Sequence, residues 1–306
     1  MSLSVLQSVY FKDNPNFLST SLESLKKQTL PADKIILIKD GTLTPELEAI
    51  ISYWEDKLPI KVVGYAQNSG LAHALNYGLQ FVDTDLVVRM DSDDIAKPER
   101  FEKQIEYFNT HKDCEILGSG IIEFYNSNAK LFSKKWVYPV ISSKDSKTLF
   151  KGTPLAHPTL MIKTSLLKQY KYSEDTSMNE DIELWFRLIT SGHIIHNLSE
   201  LLLNFRITEG TFKRRSFNKA INEFKIYWTN LTNLFGFNYL LIYPILRLFS
   251  RFLPYSINKK IYFSKYREKL FKTPNGRGGV LIYSILNKNN IFSIKKTAIG
   301  SFMLCA

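Results

Sequence analysis

Three carboxylates lie within four residues at the end of a mainly apolar segment of this chain. Asp91, Asp93 and Asp94 follow Leu86–Met90 in the stretch LVVRMDSDD. Like charges this close repel one another, so a cation should offset them or solvent should surround them. Carboxylate oxygens suit Mg²⁺ or Mn²⁺, which bind one or two protein carboxylates together with substrate phosphates. The pattern fits metal-assisted departure of a diphosphate, and it fits equally a solvated acidic turn that caps a helix opened by Pro98.

Polar residues also follow two other segments that resemble buried strands. Ser8 to Tyr10 end the first, and Asp40 with Gly41 ends the second. Ligands of open α/β sheets bind beyond the carboxyl ends of the strands, where these residues would meet Asp91–Asp94. Asp40 alone would be an ordinary turn residue, because Asp-Gly is a common turn signal. The coincidence of three strand ends indicates a binding site at this edge.

The first hundred residues alternate strand and helix patterns. Short β-branched strands are separated by helical segments of about 10–15 residues, one with Thr44 as its cap and Pro45 at its first position. After Cys114 the pattern loosens into further strands and a helix that ends at Gly192. This order predicts an α/β fold with a mixed, mainly parallel sheet flanked by helices.

Basic residues are concentrated in the last third of the chain. Residues 211–306 hold 17 Lys/Arg against two acids, whereas residues 1–210 hold 23 basic and 27 acidic residues, a net charge of −4. We therefore expect a neutral-to-acidic domain over 1–210 and a basic, aromatic, helical extension over 211–306. Anionic phospholipid and nucleic acid are both candidate partners of such an extension. Cys114 and Cys305 form no disulfide framework and favour a reducing cytosol, and the N-terminus lacks the pattern of a signal peptide.

Residues 226–246 carry no charge, over a length that could span a membrane. They contain Gly236, Pro244 and three Asn residues, so a spanning helix is disfavoured. An amphipathic surface helix fits better, with Arg247 and Arg251 four residues apart in YLLIYPILRLFSRFLPY. This helix could contact a membrane or pack on the rest of the protein.

Six segments, in this order, resemble the family 2 glycosyltransferases of the GT-A fold. They are SVLQSVYFKDNPNFLSTSLESLKKQT, IILIKDGTLTPEL, NSGLAHALNYGL, RMDSDDIAKPERFEKQ, LAHPTLMIK and NEDIELWFRL, and they cover most of residues 3–210. KDGTLTPEL, RMDSDD and EGTFKRR look most like the subgroup named for the amylovoran enzyme AmsE, which builds exopolysaccharide and O-antigen chains. The resemblance implies a GT-A (Rossmann-like) domain with a nucleotide-binding half at 1–115 and an acceptor half at 116–210.

The resemblance also implies a nucleotide-sugar site at the strand ends. Ser8 and Tyr10 match the first-strand loop that holds the nucleotide, and Asp40 matches an acid that bonds the uracil ring. Asn68 and Gly70 match a loop that lies along the nucleotide.

The family's DXD motif falls on Asp91 and Asp93. The resemblance places Asp91 near the ribose and diphosphate and makes Asp93 the direct ligand of Mn²⁺ or Mg²⁺. Asp94 is then a supporting or capping group.

On the acceptor side, an inverting transfer needs a base that takes the proton of the acceptor hydroxyl. The family's base is the Asp of a Glu-Asp pair, here Asp181, with Glu180 beside it to bind acceptor. His157 matches a His-Pro step beside the sugar site, and we assign Trp185 to the same acceptor or sugar site. The alternatives are an acidic helix start favoured by the helix dipole, with Trp185 in the core, and a structural role for His157.

Three arginines follow the predicted sheet, namely Arg206, Arg214 and Arg215. They could close over the diphosphate, because guanidinium groups match phosphate oxygens, or they could be solvated or membrane-facing. The chain departs from many relatives in carrying Lys39 before Asp40 instead of a second acid, and in having no His in FRITEG. We therefore expect no His ligand to the metal.

Together these inferences predict an inverting, metal-dependent glycosyltransferase. It would move a hexose, galactose or glucose, from a UDP-sugar to an undecaprenyl-diphosphate-linked glycan during synthesis of a bacterial surface polysaccharide. We expect a cytoplasmic protein attached peripherally to the inner face of the plasma membrane, its extension on the anionic surface and no nucleic acid partner. The alternatives are a non-catalytic sugar-nucleotide-binding or scaffold protein of a polysaccharide assembly complex, and a nucleic-acid-binding tail.

Overall fold

The computed structural model describes residues 1–127, 130–175, 179–208 and 217–252, which form two compact units. The first unit comprises Met1–Ser143 and Pro154–Ile207, and the second joins Lys144–Thr153 to the chain after Ile207. Arg214, Arg215 and the basic residues after position 252 lie outside the described residues. The functional halves at 1–115 and 116–210 stay a prediction.

The first unit is built on a ten-stranded sheet. Its strands are β1 (Leu3–Tyr10), β2 (Lys34–Asp40), β3 (Ile60–Tyr65), β4 (Leu86–Arg89), β5 (Ile95–Ala96), β6 (Ile116–Ser127), β7 (Lys130–Trp136), β8 (Ile141–Ser142), β9 (Met161–Lys163) and β10 (Ile195–Arg206). The order is β3-β2-β1-β4-β9-β6-β10-β5, with β7 on β6 and β8 on β10. Strands β1 to β4 are parallel, whereas β9 is antiparallel to both β4 and β6. The mixed, mainly parallel sheet is confirmed.

Helices flank this sheet and form most of the described second unit. They are α1 (Pro15–Lys26), α2 (Pro45–Glu55), α3 (Leu71–Leu79), α4 (Arg100–Thr110), α5 (Thr164–Tyr170) and α6 (Glu180–Thr190) in the first unit, and α7 (Phe217–Phe235) and α8 (Ile242–Arg251) in the second. Short 3₁₀ turns cover Lys147–Phe150, His157–Thr159 and Tyr239–Leu241. The predicted start of α2 is confirmed, with the Thr44 hydroxyl accepting the Leu47 N–H and Pro45 in the first turn.

The predicted start of α4 is wrong. The helix begins at Arg100 after an N-cap Glu99, and the Pro98 carbonyl accepts a hydrogen bond from the Thr29 N–H at 2.9 Å. The short strand β5 separates the three acids from the helix and pairs with β10. Asp91, Asp93 and Asp94 therefore do not cap α4.

The central strands end on the same side of the sheet, and the site residues lie at these strand ends. Strands β1, β2 and β4 are buried over most of their length, as expected of parallel strands covered on both faces. In the register of the sheet, Tyr10 pairs with Asp40 and Asp40 pairs with Tyr65, so β1, β2 and β3 end side by side. We call this side of the sheet, where β1 to β4 end, the carboxyl edge.

In the second unit, a buried acid holds the two described helices together. The Glu223 carboxylate on α7 pairs with Arg247 at 3.3 Å and Arg251 at 3.0 Å on α8. Burial alone would raise the pKa of Glu223, but the charges of Arg251, Arg247 and Lys219, with the hydrogen bond from Arg251, together lower it. The arginines expected on the polar face of a surface helix are thus internal partners of Glu223. None of the helices in the described ranges combines the length and apolar character needed to cross a bilayer.

Candidate active site

The structure brings the first-strand loop and the DSDD loop together at the carboxyl edge. The half-buried Ser8 and Tyr10 lie at the end of β1. The Asp13 carboxylate accepts hydrogen bonds from the Tyr10 N–H at 3.2 Å and the Ser92 hydroxyl at 2.8 Å. The loops after β1 and β4 are therefore tied directly to each other.

Asp40 organises the loop between β3 and α3. Its buried carboxylate accepts four hydrogen bonds, from the Tyr65 hydroxyl (2.9 Å), the Asn68 amide (2.9 Å), the Ser69 N–H (2.7 Å) and the Gly70 N–H (3.1 Å). Burial and the neighbouring Asp40 carboxylate raise the pKa of Tyr65, so the phenol remains a donor. A carboxylate offers about four lone-pair sites, and all are occupied. A uracil contact by Asp40 stays a prediction, but holding this loop is a role that the sequence did not indicate.

Gly41 lets the same loop approach β2. Its φ is +85°, and a Cβ atom at this position would lie 2.7 Å from the backbone nitrogen of Asn68. Only glycine tolerates both the left-handed conformation and this contact. The Asp40-Gly41 pair is therefore a docking point for the loop that carries Asn68 and Gly70.

Asp91, Asp93 and Asp94, which we call the acid cluster, place carboxylate oxygens within 4.8 Å of one another. Asp94 is fully buried, and burial together with the charges of Asp91 and Asp93 raises its pKa well above the ordinary value. Its Oδ1 accepts the Arg206 N–H at 2.8 Å, while its Oδ2 is buried without a hydrogen-bond partner. Such an orphaned oxygen is costly unless another group binds it.

These groups fit a divalent cation. Three carboxylates within one ion's reach supply the hard oxygen ligands that Mn²⁺ and Mg²⁺ prefer. The buried Oδ2 of Asp94, which has no hydrogen-bond partner, is a further oxygen that a cation at the cluster could satisfy. Asp93 and Asp91 would hold the ion, with Asp94 beneath them.

A cation of the protein itself also contacts the cluster. The Arg89 side chain is only 2% exposed, and its guanidinium donates to the Asp91 carboxylate and to the Met90 carbonyl. A second buried arginine, Arg100, donates to the Arg89 carbonyl at 3.0 Å. Arg89 stands only two residues before Asp91, so the sequence could have indicated this ion pair.

Arg206 braces the acid cluster from β10. Its Nε donates to the Asp93 carbonyl at 2.7 Å, and its guanidinium lies over the rings of Phe17 (4.0 Å) and Phe124 (4.6 Å). Arg206 is therefore placed beside the proposed metal ligand. Its contact with a diphosphate stays a prediction.

Helix α6 presents Glu180 and Asp181 in its first turn, where the helix dipole favours acids. Its apolar face is buried, including Leu184, Trp185 and Leu188, and the chain turns away at Gly192 with φ +93°. Glu180 is buried, whereas Asp181 is half-buried. The buried apolar face thus sets the orientation of α6, and Asp181 at its start remains partly exposed to solvent.

His157 lies against the same helix. Its Nε2 is 2.9 Å from the Tyr172 hydroxyl, and its ring makes edge contacts with Tyr172 and Trp185. Burial, assisted by the Arg89 charge, lowers the pKa of His157 well below its ordinary value, so the imidazole is neutral. Trp185 is 1% exposed and packs behind His157, so its contact with a sugar stays a prediction.

The buried Tyr172 follows α5 and contacts His157 through its hydroxyl. Burial raises the pKa of Tyr172; the charge of Arg89 opposes this shift, and the charges of Asp181, Glu180 and Asp91 reinforce it. The Asn76 side chain on α3 binds both the N–H and the carbonyl of Tyr172. Neither residue was singled out from the sequence, because a lone Asn within a helix and a lone Tyr after one carry no signal of their own.

Comparison with known proteins gives the family. Residues 4–171 match glycosyl transferase family 2. The chain is 33% identical over 85% of its length, and 97% of the relative, to the amylovoran biosynthesis glycosyltransferase AmsE of Erwinia amylovora. It is 35% identical over 85% of its length, and 94% of the relative, to the UDP-Gal:alpha-D-GlcNAc-diphosphoundecaprenol beta-1,3-galactosyltransferase of Escherichia coli.

Solved structures show the same architecture. S. aureus TarS in complex with UDP superposes with a TM-score of 0.58 at 18% identity, over 90% of this chain and 76% of that one. The mannosyltransferase PcManGT of Pyrobaculum calidifontis, in complex with GDP-Man and Mn²⁺, also gives 0.58, at 12% identity over 99% and 85% of the two chains. From the family match and the shared sheet, the chain belongs to the family 2 glycosyltransferases and has the GT-A fold.

Proposed function

We propose that this chain is an inverting, metal-dependent hexosyltransferase that uses a UDP-sugar. The observation that carries the proposal is the acid cluster, whose carboxylate oxygens lie within 4.8 Å of one another, in the same compact unit as the Glu180–Asp181 pair that begins α6. One group of carboxylates is suited to a metal diphosphate, and the other to a reacting hydroxyl. In-line displacement at an anomeric carbon requires these two functions on opposite sides of the sugar.

On the donor side, Ser8, Tyr10, Asn68 and Gly70 would hold the nucleotide. Mn²⁺ or Mg²⁺ on Asp93 and Asp91 would act as a Lewis acid that stabilises the charge growing on the diphosphate. The half-buried guanidinium of Arg206, fixed between two aromatic rings, would offer its remaining N–H groups to phosphate oxygens.

On the acceptor side, Asp181 would take the proton from the attacking hydroxyl. Its half-exposed position at the start of α6 leaves room for an acceptor, and the buried Glu180 beside it would bind a second hydroxyl. Attack on the face opposite the leaving diphosphate would invert the anomeric configuration. His157 would border the sugar as a neutral group.

The relatives support a donor and an acceptor. The Escherichia coli relative is named for transfer of galactose from UDP-Gal to GlcNAc-diphosphoundecaprenol, and AmsE for amylovoran biosynthesis. We therefore propose galactose as the first hexose to test, with glucose as its alternative. The acceptor would be an undecaprenyl-diphosphate-linked glycan of a bacterial surface polysaccharide.

Transfer to such an acceptor would take place at the inner face of the plasma membrane. Several large apolar side chains of the second unit are exposed, including Phe237 (83%), Tyr239 (61%), Phe249 (64%) and Phe252 (46%). Aromatic residues beside a basic segment suit an anionic interface. We propose peripheral attachment through this unit.

A donor screen tests the function. The purified chain is assayed with UDP-galactose, UDP-glucose, GDP-mannose and dTDP-glucose, with Mn²⁺ or EDTA, on a synthetic GlcNAc-diphospholipid. We expect transfer from a UDP-hexose that EDTA abolishes, with an inverted anomeric centre by NMR. Failure to bind or turn over any UDP-sugar would refute the donor assignment, and retention of configuration would refute the base assignment.

A further inference from the structure

Arg89 is a rigidly held cation to which the proposed chemistry gives no task. It ends β4, between β1 and β9, and its side chain is 2% exposed. Its N–H donates to the Leu160 carbonyl at 2.9 Å, and its carbonyl accepts from Arg100 at 3.0 Å. The backbone that carries the guanidinium is therefore fixed on both sides.

The guanidinium occupies one oxygen of Asp91. Its Nη2 lies 2.5 Å from Oδ1, a charge-assisted contact, and no described residue donates to Oδ2. The Asp91 carbonyl accepts from Gln7 (3.1 Å) and Ser21 (3.0 Å), which fixes its main chain too. The side chain and the main chain of Asp91 are thus both held by hydrogen bonds before any ligand binds.

This pairing opposes metal binding by Asp91. A carboxylate oxygen bonded to a guanidinium donates less electron density, and a divalent cation close to Arg89 experiences Coulomb repulsion. The effect is strong because Arg89 is buried and poorly screened. A diphosphate would reverse the balance, because it brings negative charge and additional oxygen ligands.

We propose that Arg89 is a positioning residue that restrains Asp91, so that the acid cluster binds a divalent cation together with a nucleotide diphosphate and only weakly alone. This inference rests on the proposed function, since it assumes that the acid cluster holds the metal. It assigns Arg89 control over the order of binding. A purely structural arginine would have no such effect.

The test measures Mn²⁺ binding alone by electron paramagnetic resonance, and UDP binding at saturating Mn²⁺ by calorimetry. We expect Arg89→Met to bind Mn²⁺ alone about tenfold tighter than the wild type does, because Asp91 is released. At saturating Mn²⁺, the same variant should bind UDP about tenfold weaker. Arg89→Lys keeps the charge, so its affinity for Mn²⁺ alone should stay close to that of the wild type. Loss of packing would instead weaken both affinities.

Two further variants keep the test decisive. Asp91→Asn keeps Arg89 but removes a negative charge beside the cation, so binding of Mn²⁺ alone should weaken. If Asp91 is restrained until a diphosphate binds, this loss should be smaller without UDP than with saturating UDP, whereas Asp93→Asn should abolish Mn²⁺ binding in both cases. Arg247→Met, which breaks the arginine–carboxylate contact with Glu223 in the second unit, controls for the loss of such a pair.

The outcomes separate this inference from the proposed function. If the wild type shows no Mn²⁺-dependent binding of UDP, the proposed function fails. If the wild type binds UDP with Mn²⁺ but Arg89→Met leaves the affinity for Mn²⁺ alone unchanged or weaker, only the role of Arg89 fails. Should Arg89→Met not fold, a loss of Mn²⁺ binding in Asp91→Asn that is as large without UDP as with UDP would overturn the inference, and a smaller loss without UDP would support it.

Discussion

The side chain of Asn76 forms two reciprocal hydrogen bonds with the backbone of Tyr172. Its Nδ2 donates to the Tyr172 carbonyl at 2.8 Å, and its Oδ1 accepts the Tyr172 N–H at 2.9 Å. Asn76 belongs to α3, which begins at the loop held by Asp40, whereas the Tyr172 hydroxyl contacts His157 at 2.9 Å. One amide therefore connects the helix that follows the Asp40-held loop with the residue that contacts His157.

Asn76→Ala should weaken both the fold and catalysis. It leaves two backbone groups of a buried residue unpaired, so we expect the free energy of unfolding to fall by about 2–3 kcal/mol. Displacement of Tyr172 and His157 should lower kcat more than the affinity for UDP. Urea unfolding and steady-state kinetics measure both effects. Asn230→Ala is the control, since its amide bonds the Ile226 carbonyl of its own helix; an equal loss in both variants would contradict the proposed connection.

Asp40→Asn should destabilise the loop between β3 and α3. The new NH₂ group would face N–H donors where a carboxylate oxygen now accepts them, at a cost of about 3 kcal/mol. Tyr65→Phe removes a single donor and should cost about 1 kcal/mol. Thermal unfolding with UDP titration measures both variants. If Asp40→Asn were as stable as the wild type yet failed to bind UDP, Asp40 would act as a direct base contact and not as the support of the loop.

Asp181→Asn should abolish transfer while preserving donor binding. Removal of a general base costs roughly two to four orders of magnitude in kcat, and the half-buried side chain contributes little to stability. Transfer kinetics, UDP calorimetry and thermal unfolding measure the three properties. Glu183→Gln, on the same helix, breaks only the contact with Arg187 at 2.6 Å and should keep near-normal activity. Near-normal transfer by folded Asp181→Asn would exclude this residue as the base.

The sequence predicted the sheet and the residues at its carboxyl edge because those signals are local. Buried parallel strands are apolar runs, and polar residues at their ends stand out; the three acids after β4 needed only strand periodicity to be placed. The start of α4 was mispredicted because Pro98 is a strong local helix signal. The two-residue strand β5, whose partner β10 lies about a hundred residues later, displaced the helix start.

What the sequence did not predict depends on contacts between distant segments. The residues next to Asp40 in the sequence indicate only a turn. Its four hydrogen-bond donors come from Tyr65, Asn68, Ser69 and Gly70, which approach it only in the fold. Arg247 and Arg251 have the spacing of a polar helix face, but the lone buried acid of α7 turns that face inward. Such outcomes follow from pairing buried charges across the fold and not from local periodicity.

The neutral His157 should make stability depend on pH. Burial depresses the pKa of His157 in the folded state below its ordinary value of 6.5, so the unfolded chain binds a proton first as the pH falls. The stabilising contribution of the neutral imidazole is complete above pH 6.5 and is lost as the pH falls toward the folded-state pKa. Over this range the free energy of unfolding should fall by up to about 1.4 kcal/mol per pH unit. His157→Gln should remove this slope in urea unfolding between about pH 5 and 7. The exposed His111→Gln should retain it, and equal slopes in all three proteins would contradict the assignment.

Exposed aromatic residues of the second unit should set the affinity for membranes. Phe249 and Phe252 are 64% and 46% exposed at the end of α8, whose arginines are engaged by Glu223. Aromatic insertion, and not the helix charge, should then provide the specific part of binding. In sedimentation with phosphatidylglycerol vesicles, Phe249→Ser with Phe252→Ser should weaken binding by about tenfold or more, because two apolar side chains no longer leave water. Tyr53→Ser, 57% exposed in the first unit, should bind as the wild type does. Unchanged binding by the double variant, with full loss in high salt, would mean that the basic residues alone attach the protein.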